Sequence, residues 1–164
     1  MAQLFLHSQM SAYEAEQTPN CPFCRIALGG LPAVVIYQDG DVVAFLDLGP
    51  IRPGHVQIIP RAHFATFDLL PISLLTKIAA LAQQLATRMK QVYSVDRVAF
   101  LFTGGDVEHA HAHVVPMIDK TDITSARYIV SPQAISWSSE HLHVDHAALL
   151  DTRDRLAFVP DQLP

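Results

Sequence analysis

Three histidines separated by single alanines, His109-Ala110-His111-Ala112-His113, run into Val114, Val115 and Pro116. In an extended strand residues i, i+2 and i+4 share one face. The three imidazoles are therefore expected to line one surface, about 7 Å apart, with Ala110, Ala112 and Val114 facing the other way. Like charges at that spacing repel, so the rings should be largely neutral near pH 7. A neutral imidazole serves equally as a metal ligand and as a nucleophile. A second constellation is Cys21-Pro22-Phe23-Cys24, which holds both cysteines of the chain. In a reducing compartment this spacing favours metal ligation or redox chemistry over a structural disulfide. A thioredoxin-like site needs a strand in front of the motif, and residues 14–20 are polar and end in Thr-Pro-Asn. The metal is favoured, and it needs two further ligands.

These side chains must be held by a frame, and the chain offers one in order. Residues 21–28 read as a short helical turn closed by Gly29 and Gly30. Residues 34–38 and 42–47 read as paired strands around a tight turn at Asp39 and Gly40. Residues 48–54, Leu-Gly-Pro-Ile-Arg-Pro-Gly, form a loop, because two prolines and two glycines do not sit inside a central strand. Residues 55–60 are a third strand. Residues 72–93 follow Pro71 and carry Leu75, Ile78, Ala79, Ala82, Leu85, Ala86 and Met89 at helical spacing. Residues 97–102 are a fourth strand, and Gly104-Gly105 turns into the histidine strand. The expected fold class is α+β: one domain with an antiparallel sheet of about five strands and one long helix. An N-terminal arm (residues 1–19) precedes the domain (residues 20–117), and an extension (residues 118–164) follows it.

At 164 residues the chain is long enough to bury a real core. Its formal net charge of -5 argues against a nucleic-acid groove built on phosphate attraction, though not against a small nucleotide held by local donors. No apolar run approaches the roughly 18 residues of a membrane span. Residues 1–10 carry no positive residue ahead of their short apolar patch, unlike a secretory signal. A cytoplasmic protein is expected.

The run from His109 to Val115 resembles the signature of the histidine-triad (HIT) superfamily, His-x-His-x-His-x-x with x apolar, and meets every position of it. The resemblance extends over roughly residues 20–117 and points to the zinc-containing bacterial-type branch related to purine nucleoside phosphoramidases. It implies a structural Zn²⁺ in a tetrahedral Cys2His2 set made by Cys21, Cys24, His63 and His109. It implies that His111 attacks the α-phosphate of a nucleotide and forms a nucleotidyl-imidazole. His113 then hydrogen-bonds a non-bridging phosphate oxygen, and His55 supports His111 from behind. Asp47 accepts hydrogen bonds from both ribose hydroxyls, as suits a carboxylate facing a vicinal diol, while Phe23, Ile26 and Leu48 build an apolar slot for the base.

The implied activity is hydrolysis of a nucleoside phosphoramidate or acyl-nucleotide to a nucleoside monophosphate, AMP. The partners implied are a purine nucleotide and a second copy of the chain in a homodimer. Many relatives carry an Asn and a Gly-Gln-Ser/Thr-Val loop before the triad. Here residues 103–108 read Thr-Gly-Gly-Asp-Val-Glu, and backbone N–H groups of Gly104 and Gly105 are expected to replace the lost donors. Two other readings stay open: a dinucleoside polyphosphate hydrolase, and a zinc-stabilised nucleotide-binding protein with little turnover. Uridylyl transfer fits less well, since that branch has His-Pro-His followed by Gln, where this chain has Ala110 and Ala112. Trp137, His141, His143 and His146 are expected to shape the leaving-group side of the pocket.

Overall fold

A computed structural model describes residues 18–119, 122–123, 129–131, 134–135 and 144–158. Pro22 opens a short helix, α1 (Pro22–Ala27), with Cys21 in extended conformation at its N-cap. Proline's fixed φ suits a first helical turn, and Gly29 just beyond the end takes a φ of +75°, the left-handed geometry that closes helices. Strands β1 (Val35–Gln38) and β2 (Val42–Leu46) follow. Their turn is held by the Asp39 carboxylate, which accepts the N–H groups of Asp41 and Val42 at 2.8 and 2.9 Å. Then come β3 (Val56–Pro60), a 3₁₀ turn (Phe67–Leu69), α2 (Ile72–Tyr93), β4 (Arg97–Thr103) and β5 (His111–Met117). Beyond them lie two short paired strands, β6 (Ile129–Ser131) and β7 (Ala134–Ile135), and a helix, α3 (His146–Leu156).

The main sheet runs β1-β2-β3-β5-β4 and every pairing is antiparallel. Strand alternation sorts its residues onto two faces. Val42, Ala44, Leu46, Val56, Ile58, Ala112 and Val114 share a core with Leu74, Ile78, Leu81, Ala82, Leu85 and Met89 of α2. On the opposite face Val43, Phe45 and Ile59 pack against Phe23, Cys24 and Ala27 of α1. With both faces covered, β2 is buried along its whole length, which is why it reads as the unbroken run Val-Val-Ala-Phe-Leu. Leu149 and Leu156 of α3 join the α2 side, and the Arg155 guanidinium lies 5.2 Å from the centre of the Tyr93 ring.

The fold is the expected α+β arrangement, with two local differences. The buried stripe of α2 contains Leu74 and Leu81, whereas Leu75 and Ala86 are only partly buried and Ala79 is exposed. The histidine strand starts at His111 instead of His109. The His109 N–H bonds Val107 O at 2.8 Å and the Ala110 N–H bonds Phe64 O at 2.6 Å, so this backbone is engaged by loops before it reaches β4. Among the described residues no helix is long and apolar enough to cross a membrane.

Candidate active site and metal centre

The face of the sheet opposite α2 carries the chemistry. Cys21 at the N-cap of α1 and Cys24 one turn later are buried beside His63, in the loop after β3, and His109, just before β5. The four ligand atoms lie within 4.8 Å of one another. Cys21 Sγ and Cys24 Sγ stand 3.5 and 3.6 Å from His109 Nδ1, and Cys24 Sγ is 3.3 Å from His63 Nδ1. Around a tetrahedral zinc with Zn–S of about 2.3 Å and Zn–N of about 2.05 Å, the S···N edge is ~3.6 Å. His109 Nε2 donates to the carbonyl of Pro60 at 3.0 Å, which leaves Nδ1 as the lone-pair nitrogen. Two sulfurs converge on that single lone pair, and only one S–H could donate to it, whereas a central cation engages all four groups. Burial pushes the Cys24 thiol up and, against the Pro60 hydrogen bond, pushes His109 down to about 4. A thiolate here requires a compensating positive charge, which a metal ion supplies. The residues fit a tetrahedral Cys2His2 ion. Arg61 braces α1 from below, donating to the carbonyls of Ala27 and Asp39 and to Gln38.

Next to this centre a directional hydrogen-bond chain fixes the remaining histidines. The Ile51 N–H donates to His55 Nδ1 at 3.2 Å, so His55 carries its proton on Nε2. That proton is given to His113 Nδ1 at 2.9 Å, which places the His113 proton on Nε2. His55 thus backs His113, where the resemblance implied His111. His113 Nε2–H in turn donates to Thr103 Oγ1 at 2.8 Å, and the Thr103 hydroxyl reaches His111 Nε2 at 3.3 Å. His111 Nδ1–H is held by the carbonyl of His109 at 2.6 Å. The tautomers follow from these partners: His111 presents an unprotonated Nε2, and His113 presents an Nε2–H donor. The two ring centres are 4.9 Å apart, and the Phe23 ring stands edge-on to His111 at 5.1 Å. Burial lowers His55, with Asp47 opposing, and burial with neighbouring His55 and His111 lowers His113 to about 4.

Asp47 follows β2 at the rim of this face. Its carboxylate accepts the Gly49 N–H at 2.7 Å and Gln57 Nε2 at 2.5 Å. It stands 3.5 Å from His55 Nδ1, beyond a normal hydrogen bond, since Ile51 already holds that nitrogen. Asp47, His55 and His113 also form a donor set within 4.8 Å. The 2.9 Å between the two ring nitrogens is shorter than the ~3.3 Å edge of two nitrogens on tetrahedral zinc, so it is a hydrogen bond. Of the base-slot candidates, Phe23 is buried against Phe45, His109 and His111. Ile26 is partly buried at the edge of the same cluster, and Leu48 is exposed. Gly104 and Gly105 lie in the exposed β4–β5 loop, where an added Cβ would meet nothing within 4 Å.

Sequence reasoning missed two residues of this site. Thr103 ends β4 directly opposite His111, and Gln57 lies on β3 between Phe45 and His113. A period-2 count from His55 places Gln57 on the histidine face, and a polar residue inside Val-Gln-Ile-Ile was the available signal. Trp137, His141 and His143 fall outside the described residues, and His146 is an exposed residue at the start of α3.

A HIT-domain family model matches residues 29–119. An uncharacterized HIT-like protein of Methanocaldococcus jannaschii is 32% identical over 100 residues, covering 58% of this chain and 78% of that protein. The adenosine 5′-monophosphoramidase of Saccharomyces cerevisiae is 33% identical over 101 residues, covering 61% of this chain and 64% of the relative. Among solved structures, a zinc-bound histidine-triad family protein from Mycobacterium smegmatis superposes with a TM-score of 0.64 at 26% identity, over 84% of this chain and 93% of the other. A HIT family hydrolase from Legionella pneumophila gives a TM-score of 0.55 at 34% identity, over 61% of this chain and 95% of the other. The family match spans β1 to β5, with the triad near its end, and agrees with the sheet that positions the three histidines: the chain belongs to the histidine-triad (HIT) family.

Proposed function

We propose that this HIT-family chain is a nucleotide hydrolase that acts on the α-phosphate of a nucleoside phosphoramidate or acyl-nucleotide and releases AMP. The observation that carries this reading is the tautomer of His111. Its Nδ1–H is committed to the His109 carbonyl at 2.6 Å, so Nε2 offers the lone pair that an attacking imidazole needs. Attack forms a bond from His111 Nε2 to phosphorus as the bond to the leaving group breaks, a departing amine taking its proton from water and a carboxylate leaving as the anion. Water then cleaves the nucleotidyl-imidazole, releasing the monophosphate and restoring the ring. His113 Nε2–H, held in place by His55, donates to a non-bridging phosphoryl oxygen that takes the place of the Thr103 hydroxyl. A donor already oriented toward developing charge stabilises the transition state.

Asp47, turned by Gly49 and Gln57, accepts the ribose hydroxyls. Phe23, Ile26 and Leu48 flank the base, and Gly104 and Gly105 face the leaving group with backbone N–H groups. Cys21, Cys24, His63 and His109 hold one Zn²⁺; with four protein ligands the centre is closed and structural. The zinc-bound relative supports the metal, and the monophosphoramidase activity of the yeast relative supports adenylate as the nucleotide. The partner is a second copy of the chain across the outer edge of β4, beside exposed Phe100 and Phe67, whose ring lies against Phe102, since an uncovered edge strand with apolar neighbours favours association. Release of AMP from adenosine 5′-phosphoramidate, measured by chromatography, tests the activity. Binding of AMP with no product formed from any phosphoramidate or acyl-adenylate would refute it.

A further inference from the structure

We infer that Arg52 and Asp122 are positioning residues of the histidine relay: their ion pair anchors the turn whose amide sets the tautomer of His55 and, through it, the donor nitrogen of His113. Arg52 Nε and Nη2 meet the two oxygens of Asp122, each at 2.8 Å. The Asp122 side chain is fully buried, and Arg52 keeps 23% of its side chain exposed. Asp122 Oδ2 also accepts the N–H groups of Ile118 and Asp119 at 3.1 and 2.9 Å. The carboxylate is thus fixed to the backbone just past the triad strand and grips the 48–54 loop from there. Asp122 lies outside the family match, which ends at residue 119, so the C-terminal extension supplies this contact.

From Arg52 the chain makes one tight turn. Its carbonyl accepts the His55 N–H at 3.0 Å, and the preceding amide, Ile51 N–H, is the donor to His55 Nδ1 at 3.2 Å. If the turn slips, Nδ1 loses that donor and faces the Asp47 carboxylate 3.5 Å away, which favours a proton on Nδ1. His55 Nε2 then becomes a lone pair opposite His113 Nδ1, and the His113 proton must move to Nδ1. His113 Nε2 would face the phosphoryl oxygens as a lone pair, repelling what it is placed to bind. One displaced amide reverses two rings. The catalytic consequence rests on the function proposed above; the tautomer itself does not.

The test uses the full-length protein with ¹⁵N-labelled histidine, read by long-range ¹H–¹⁵N spectra in the absence of substrate. The parent should show Nε2–H at both His55 and His113. In Arg52→Met, Asp122 keeps its backbone donors, and both rings should move together toward Nδ1–H. With adenosine 5′-phosphoramidate its kcat should fall roughly 10-fold or more at nearly constant KM, since small misplacements near a reacting centre cost up to about 100-fold. Arg52→Lys keeps the charge and loses the two-pronged fork, and should fall between. A folded Arg52→Met protein with unchanged tautomers overturns the inference. If Arg52→Met does not fold, Arg52→Lys decides in the same spectrum: shifted rings support it and unchanged rings overturn it. If the rings shift in Arg52→Met while the parent itself turns over no phosphoramidate or acyl-adenylate, the hydrolase reading is refuted and the positioning role stands.

Discussion

Replacing Cys24 by alanine tests the metal centre through stability. Cys24 is 1% exposed and its sulfur lies within 3.6 Å of Nδ1 of both His63 and His109, so the change removes one of the four proposed ligands without opening the surface. The proposed ion would tie α1 to the loop carrying His63 and to His109; without it α1 is held by its apolar contacts and Arg61. Letting α1 detach would expose Phe23 and Ala27, now packed on Val43, Phe45 and Ile59. Exposing the Phe23 side chain alone costs ~1.5–3 kcal/mol, and a structural zinc contributes at most on the order of 10 kcal/mol. A loss of at least ~3 kcal/mol is expected, and at ~2–4 °C per kcal/mol for a chain of this size the Tm should fall by about 6–12 °C or more. Thermal melts should be run on metal-loaded and chelator-treated protein, parent and variant, with zinc counted by mass spectrometry. The effects of chelation and substitution should be strongly non-additive, because both remove the same ion. A chelated parent that melts with the loaded parent, or additive effects, would refute the metal centre.

Gln57→Leu should remove the side-chain donor to Asp47 and raise KM for the nucleotide about 10-fold or more, from the ~1.5 kcal/mol lower bound for a hydrogen bond to a charged group, with a smaller change in kcat in steady-state assays. Gly54→Ala should lower the Tm by several degrees, since Gly54 holds a φ of +89° and a Cβ would come within 2.5 Å of the Tyr93 ring. Stability should also depend on pH through His113, whose pKa drops from 6.5 to about 4 on folding. Between those values the unfolded chain binds the extra proton. This contribution is therefore intact above pH 6.5 and lost as pH falls toward 4, at no more than ~1.4 kcal/mol per pH unit. Urea melts of the parent and His113→Gln should diverge in slope over that window.

The frame was legible where alternation and breakers were strong. Pro71 and an apolar period marked α2, Asp39-Gly40 marked the first hairpin, and His111 and His113 do share a strand face. The inward stripe of α2 was legible in part: Ile78, Ala82, Leu85 and Met89 were expected and are buried, whereas Leu74 and Leu81 were not foreseen. Leucines and alanines occupy neighbouring positions along it, and the sheet selects Leu74 and Leu81 over Ala79. The start of β5 was missed because His109 and Ala110 bond to Val107 and Phe64, which no strand pattern encodes. Thr103 and Gln57 become visible only once register places them opposite His111 and His113. The Arg52–Asp122 pair joins residues 70 apart, and no local pattern announces such a contact.

The most direct measurement is interception of the covalent intermediate. Parent protein mixed with adenosine 5′-phosphoramidate and quenched in base within milliseconds should carry an adenylyl group on His111, stable to base and labile to acid, located by peptide mass spectrometry. His111→Ala should bind AMP, form no adduct and lose turnover, while His113→Ala should still form the adduct, more slowly. A His111→Ala protein that releases AMP at a near-parental rate would contradict covalent catalysis by this residue.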